Sequence, residues 1–284
     1  MSLPIILDKS TFQSLSFSEM GMLNNYYLHN ITPLIVMEIL GDLKKEQIEK
    51  GDIPDKKVIE LSTKLFPYKS VVNEHYIELV KANLLGNIIK LDERPILGNS
   101  SLKQTISGKK GQYIGVSKEE ENLFRWRKGN FLEIDKKLST LWRTTTTDKE
   151  YFQNLQKNLR DIKPKGKKIR NLEELNLEVE RRLGTPEFQY SLLMMIFQNY
   201  GIHSLDASKI LMFWNSVGKP PLLHFAPYAA FCLKVDLFYY IGLQFDLIGQ
   251  RPTNRLDLQY LYYLHLLRYF LLTIKFTKEW FHIF

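Results

Sequence analysis

The apolar positions of this chain change their period several times along its length. Residues 3–8, LPIILD, form a short unbroken apolar run closed by an acid, which by length predicts a buried strand rather than a helix. A Ser-rich turn follows, and SEMGMLNNYYLH predicts a short helix. The β-branched-rich run ITPLIV predicts a second strand that hands over to a helix at MEILGDLKKEQIEK. Pro54 is placed to open another helix, DKKVIELSTKLF. Strand, helix, strand, helix is the pattern of a parallel α/β sheet.

From about residue 71 to 185 the pattern differs. Amphipathic helical stretches such as EEENLFRWRKGNFLEIDKKLSTLW and NLEELNLEVERRL are separated by polar stretches such as GNSSLKQTISGKKGQY. From PEFQYSLLMMIFQNYGI onward the chain is again apolar, as in a return to the main core. The predicted organisation is an α/β domain in two segments, 1–70 and 186–284, split by a mainly helical insertion, 71–185.

Charge sharpens this division. The chain carries +8, but residues 101–170 hold 18 Lys and Arg against 8 Asp and Glu, a local +10 that leaves −2 for the rest. The densest piece is KPKGKKIR, with Lys163, Lys165, Lys167, Lys168 and Arg170. Local clustering of this kind releases counterions from a nucleic-acid backbone, although a solvated helical face carries similar charge. One cysteine, Cys232, excludes a disulfide framework and a Cys-based zinc site within one chain. No signal peptide is visible at the N-terminus, and the most apolar stretch, residues 222–248, is interrupted by Lys234, Asp236 and Asp246. The expectation is a soluble cytoplasmic protein with no membrane span.

Candidate chemistry lies in carboxylates at element ends. Asp8 closes the first strand, Glu38 follows the second, and Asp257 stands in the first turn of a late helix. The C-terminal edge of a parallel sheet is where ligands bind, and carboxylates gathered there call for a cation such as Mg²⁺ or Mn²⁺. Each acid also has a plainer role: an Asx turn at Asp8, a helix-dipole partner at Glu38, a capping partner of Asn254 at Asp257. The six histidines show no paired metal spacing, and no Gly-rich phosphate loop is present. Trp126, between Arg125 and Arg127, suits either an RNA base or a helix anchor.

PIILDKSTF, ITPLIVMEIL and RPTNRLDLQYLYYL, in that order, resemble the successive acidic motifs of PIN-like nucleases. The resemblance covers roughly residues 1–50 and 220–264. It implies a three-layer α/β/α fold with a parallel sheet, and endoribonuclease activity with Mg²⁺ or Mn²⁺ held by Asp8, Glu38 and Asp257. Ser10 matches the small hydroxyl residue after the first Asp, and Arg251 and Arg255 flank the implied site as holders of a scissile phosphate. RNA is the implied partner, with single-stranded DNA, a protein partner or a second copy of the chain left open. The alternative is a catalytically degenerate member that binds nucleic acid or a protein.

After Leu264 the chain departs from the family. HLLRYFLLTIKFTKEWFHIF contains no acid but Glu279, where PIN-like chains have a further strand ending in a fourth Asp. Codons able to encode this tail, read one base earlier, can give Pro-Phe, an apolar stretch and Ser-Asn-Asp, with the Asp straddling Thr273 and Ile274. A one-base shift just after Leu264 is therefore one expectation, and a hydrophobic terminal helix or strand on the core is the other.

Overall fold

A computed structural model of the chain describes residues 3–44, 54–65, 70–92, 94–98, 101–106, 109–114, 116–162, 168–249, 251, 254–264 and 269–271. In chain order the first elements are β1 (Leu3–Leu7), α1 (Lys9–Ser14), α2 (Phe17–Tyr26), β2 (Tyr27–Ile31), α3 (Pro33–Gly41), α4 (Pro54–Lys64) and β3 (Ser70–Val72). Next come α5 (Tyr76–Leu84), β4 (Ser101–Ile106), β5 (Lys109–Ile114), α6 (Lys118–Trp126), α7 (Glu133–Thr147), α8 (Lys149–Asp161) and α9 (Leu172–Gly184). The last are α10 (Gln189–Asn199), α11 (Ser204–Ser216), α12 (Leu222–Phe225), α13 (Pro227–Gln244), α14 (Asn254–Leu261) and β6 (Tyr269–Leu271).

The chain is mixed α/β and mostly helical, and it divides into two compact units. Unit 1 is built from described residues within Met1–His75, Asp92–Thr147 and Leu264–Ile274, and unit 2 from those within Tyr76–Leu91 and Asp148–Tyr263. The stretch 71–185, expected as one insertion, therefore serves both units, and its polar segment forms the antiparallel hairpin β4–β5.

In unit 1 a four-stranded parallel sheet runs β3-β2-β1-β6. Its second strand is Tyr27–Ile31, so ITPLIV is strand only at Ile31. The rest is helix for a local reason. Thr32 caps α3 by accepting from the Ile35 amide at 3.3 Å, and Pro33, lacking an N–H, suits the first helical position. Glu38 accordingly lies inside α3, past its first turn, rather than at its start. The third strand is three residues long, too brief to show a period, and it falls at the expected domain boundary. In the tail, Tyr269–Leu271 pairs in parallel with Ile5–Leu7, so this segment is a strand in the sheet. Residues 265–268 and 272–284, including Glu279 and the position of the expected fourth acid, lie outside the described residues.

Ile5, Ile6 and Leu7 are all buried, as expected where both faces of a parallel strand are covered. Helix α3 presents seven buried residues and packs against α7. The contact is close at Gly41, where a Cβ would stand 2.8 Å from Cδ1 of Trp142. Trp126, at the end of α6, is 1% exposed, which makes it a helix anchor rather than a stacking platform. Neighbouring Arg125 reaches both oxygens of the buried Asp135, at 2.7 and 3.2 Å.

Unit 2 is helical and assembled around α13, which packs against α5, α8, α9, α10, α12 and α14. Its sequence, PYAAFCLKVDLFYYIGLQ, is apolar nearly all round, as a core helix requires. No side chain at its own N-cap, Ala226, serves its first amides. Asn83 of α5 does so, its Oδ1 accepting from the amides of Tyr228 and Ala229 at 3.0 and 3.2 Å. Gln189 does the same for α12, accepting from the Leu222 amide at 2.8 Å. Among the described residues no helix is long and apolar enough to cross a membrane.

Replacing Asn83 with Ala strands two buried amides, a cost of about 1–3 kcal/mol; a urea midpoint unchanged from that of the unaltered protein would refute the capping role. A second outcome concerns His29 of β2, which is 2% exposed with neither ring nitrogen hydrogen-bonded among the described residues. Burial lowers its pKa from 6.5 to about 4. The unfolded chain therefore takes up a proton, as pH falls through that window, that the folded chain refuses. Stability present above the unfolded pKa is lost on the way down, by about 3 kcal/mol in full. His29→Leu flattens the acid limb of a plot of stability against pH between those two values, and an identical limb in the variant would exclude His29 as its source.

Candidate functional site

The strand register of unit 1 brings three polar residues into one row. Ile5 lies opposite His29, and Ile31 opposite Val72, so the next positions beyond three adjacent strands are Asp8, Thr32 and Asn73. The ladder continues into this row, with the Asn73 amide donating to the Ile31 carbonyl at 2.8 Å. All three side chains are 1% exposed. Here the C-terminal edge of a parallel sheet ends in oxygen-bearing groups removed from bulk water.

Their local roles differ. Asp8 is the N-cap of α1, its Oδ1 accepting from the Thr11 amide at 2.7 Å, so the plainer Asx role is real and coexists with the edge position. Thr32 caps α3 as described. The Asn73 side chain has no hydrogen-bond partner at its oxygen or its nitrogen among the described residues, and the same holds for Asn30 just below the row. Leaving a buried amide unmatched costs free energy, and buried polar groups in folded proteins are rarely orphaned.

Lys9, next to Asp8, ties this edge to α3. Its Nζ donates to Asp42 Oδ1 at 2.7 Å and to the carbonyl of Glu38 at 2.8 Å. Asp42 is 2% exposed, so the pair is shielded from solvent. Of the expected acids, then, the structure brings Asp8 and the backbone of Glu38 to either side of one lysine, while the half-buried Glu38 stands within α3. Ser10 is exposed in the first turn of α1.

Asp257 is in the first turn of α14, as expected, and belongs to unit 2. In the same unit Arg251 is exposed and Arg255 half-buried. Burial opposes the Arg255 charge, but Tyr240, Tyr151, Tyr262 and Asp236 outweigh it and raise the pKa above its ordinary value. Lys168 and Arg170 are exposed; Lys163, Lys165 and Lys167 lie outside the described residues. Within neither unit, among the described residues, do three or more His, Cys, Asp or Glu gather as a metal-binding group. In unit 1 the oxygen-bearing groups of this row are the Asp8 carboxylate and the Thr32 hydroxyl, both already capping a helix, and the Asn73 amide oxygen. Hard oxygen donors of this kind fit Mg²⁺ or Mn²⁺.

One cluster escaped the sequence reading. Asp236, on α13, accepts from Asn199 Nδ2 at 3.0 Å, from the Tyr200 hydroxyl at 2.8 Å and from the Tyr262 hydroxyl at 2.5 Å. The ring of Tyr76 lies 4.7 Å from that of Tyr262 and 6.1 Å from that of Tyr200. Burial raises the Asp236 pKa, against the hydrogen bonds that lower it. The signal was a lone acid inside FCLKVDLFYY, legible only as an interruption of an apolar run. Comparison with protein-family models, with curated proteins and with solved structures returns no match.

Asp236→Asn turns an amide N–H toward three donors and lowers stability by about 2–3 kcal/mol. Thermal unfolding measures it, and a variant as stable as the parent shows that the carboxylate is not needed there.

Proposed function

We propose that the protein is a cytoplasmic, divalent-metal-dependent endoribonuclease of PIN-like type. The observation that supports this reading best is the row Asp8, Thr32 and Asn73, buried at the C-terminal edge of a parallel sheet with the Asn73 amide unmatched. An amide left without partners in a buried oxygen-rich row is accounted for by a ligand that completes it.

The residues present divide the work. Asp8 and the Asn73 amide oxygen would hold the cation, with Glu38 as the further acid of the same unit that the sequence resemblance brings to the set. The cation, when bound, supplies charge stabilisation to a phosphodiester and lowers the pKa of water. The Thr11 amide fixes the rotamer of Asp8, so its second oxygen keeps one direction without reorganisation. The Asp42 carboxylate and the Glu38 carbonyl hold the Lys9 ammonium, which ties α3 to the strand end that carries Asp8. Ser10, exposed at the start of α1, is free to donate its hydroxyl to a phosphate oxygen. Arg251, Arg255 and the basic run Lys163, Lys165, Lys167, Lys168 and Arg170 supply sequence-independent attraction to the backbone.

A second reading has its own observation. With no group of three acids or histidines within a unit among the described residues, a chain that binds RNA or a protein partner without cutting is the alternative.

Cleavage of a mixed panel of labelled RNAs and single-stranded DNAs with Mn²⁺ decides between them. The proposal expects RNA cleavage that falls by about 10–100-fold in Asp8→Asn and in Asn73→Ala, and that is abolished by chelation. Cleavage untouched by Asp8→Asn would sink it, and salt-sensitive RNA binding with no cleavage at all would install the second reading.

A further inference from the structure

Unit 2 contains a cleft of about 230 Å³ whose wall includes Lys149, Phe152, Gln156, Tyr239, Leu243 and Arg251. It lies where α8 packs on α13, with Arg251 beyond the end of α13. Its chemistry is uneven in an informative way. Lys149 and Arg251 are exposed, and neither forms an ion pair with a carboxylate among the described residues. Tyr239 is 2% exposed, and its buried hydroxyl has no hydrogen-bond partner among the described residues. Asp246, beyond the end of α13, is already engaged by Arg160 and by Gln156 Nε2, the latter at 3.3 Å. Phe152 and Leu243 supply an apolar surface.

Two uncommitted cations call for an anion, and an unmatched hydroxyl calls for an acceptor oxygen. A phosphoryl group answers both. The apolar wall beside it suits the face of a nucleobase. The volume is below the roughly 300–1,000 Å³ of pockets for drug-sized ligands, which limits the occupant to one nucleotide unit. We propose that this cleft binds the phosphoryl group of a single nucleotide, presented either free or as an unpaired residue of an RNA strand. The inference goes beyond the nuclease reading and does not rest on it, because no residue of the Asp8 row contributes.

Isothermal titration of the full chain in low salt, with AMP, UMP, adenosine and a uridylate pentamer, tests it. AMP and UMP bind, adenosine binds at least about tenfold more weakly, and the double variant Lys149→Ala, Arg251→Ala loses about tenfold or more in AMP affinity. Tyr239→Phe weakens AMP by about fivefold while its melting temperature stays at or above that of the parent, since the unmatched hydroxyl is gone. Asp8→Asn leaves AMP binding unchanged, which separates this site from the nuclease reading. Competition by the pentamer identifies the strand as the source of the nucleotide, and its failure with AMP still bound identifies the free nucleotide; either supports the site. Adenosine binding as tightly as AMP, an undiminished AMP affinity in the double variant, or no AMP binding to the parent would overturn it.

Discussion

Buried backbone and side-chain polar groups must find partners, and most of this protein's architecture follows from how it meets that demand. Helix α13 enters unit 2 with its first amides far from water and no capping side chain of its own, so Asn83 of another helix serves them. The position of α5 against α13 is thereby set by hydrogen-bond direction as well as by packing. In unit 1 the same demand is met by the parallel ladder, which runs one residue past β3 through the Asn73 amide. Packing then adds what is non-directional, such as the close seat of Trp142 on Gly41.

Against that background the exceptions are informative. Asn30 and Asn73 lie on adjacent strands, buried and unmatched among the described residues, toward the end of the sheet where parallel folds place ligands, while His29, also unmatched, alternates to the other face of β2. Tyr239 is a similar exception in unit 2. The Asp236 cluster is the opposite case, a carboxylate with each oxygen satisfied by donors, and its place is structural.

Legibility in the sequence followed the length and purity of each signal. LPIILD read as a strand because five residues of one character are enough for a buried strand, and Asp257 read as a first-turn acid because the pattern around it is long. ITPLIV misled because β-branched residues suggested strand while Pro33 and its Thr32 cap were specifying a helix; local hydrogen bonding outweighed propensity. Ser70–Val72 has too few residues to display alternation, and Asn73 gave no sign because an edge position exists only once the register is known. The Asp236 partners come from two segments far from it along the chain, Asn199–Tyr200 and Tyr262, and no spacing along the chain records that.

The pairing of β1 with β6 joins one of the earliest described residues, Ile5, to one of the latest, Tyr269. During synthesis β1 can find β2 at once, but its other edge has no partner until residues 269–271 have emerged. Unit 1 is therefore the slower part of the molecule to complete, since its last strand must close the longest loop in the fold. In the interval, β1 offers an open row of backbone donors and acceptors beside an apolar strand, the most adhesive surface a nascent sheet can present. A premature stop anywhere before residue 269 would leave that edge open for good.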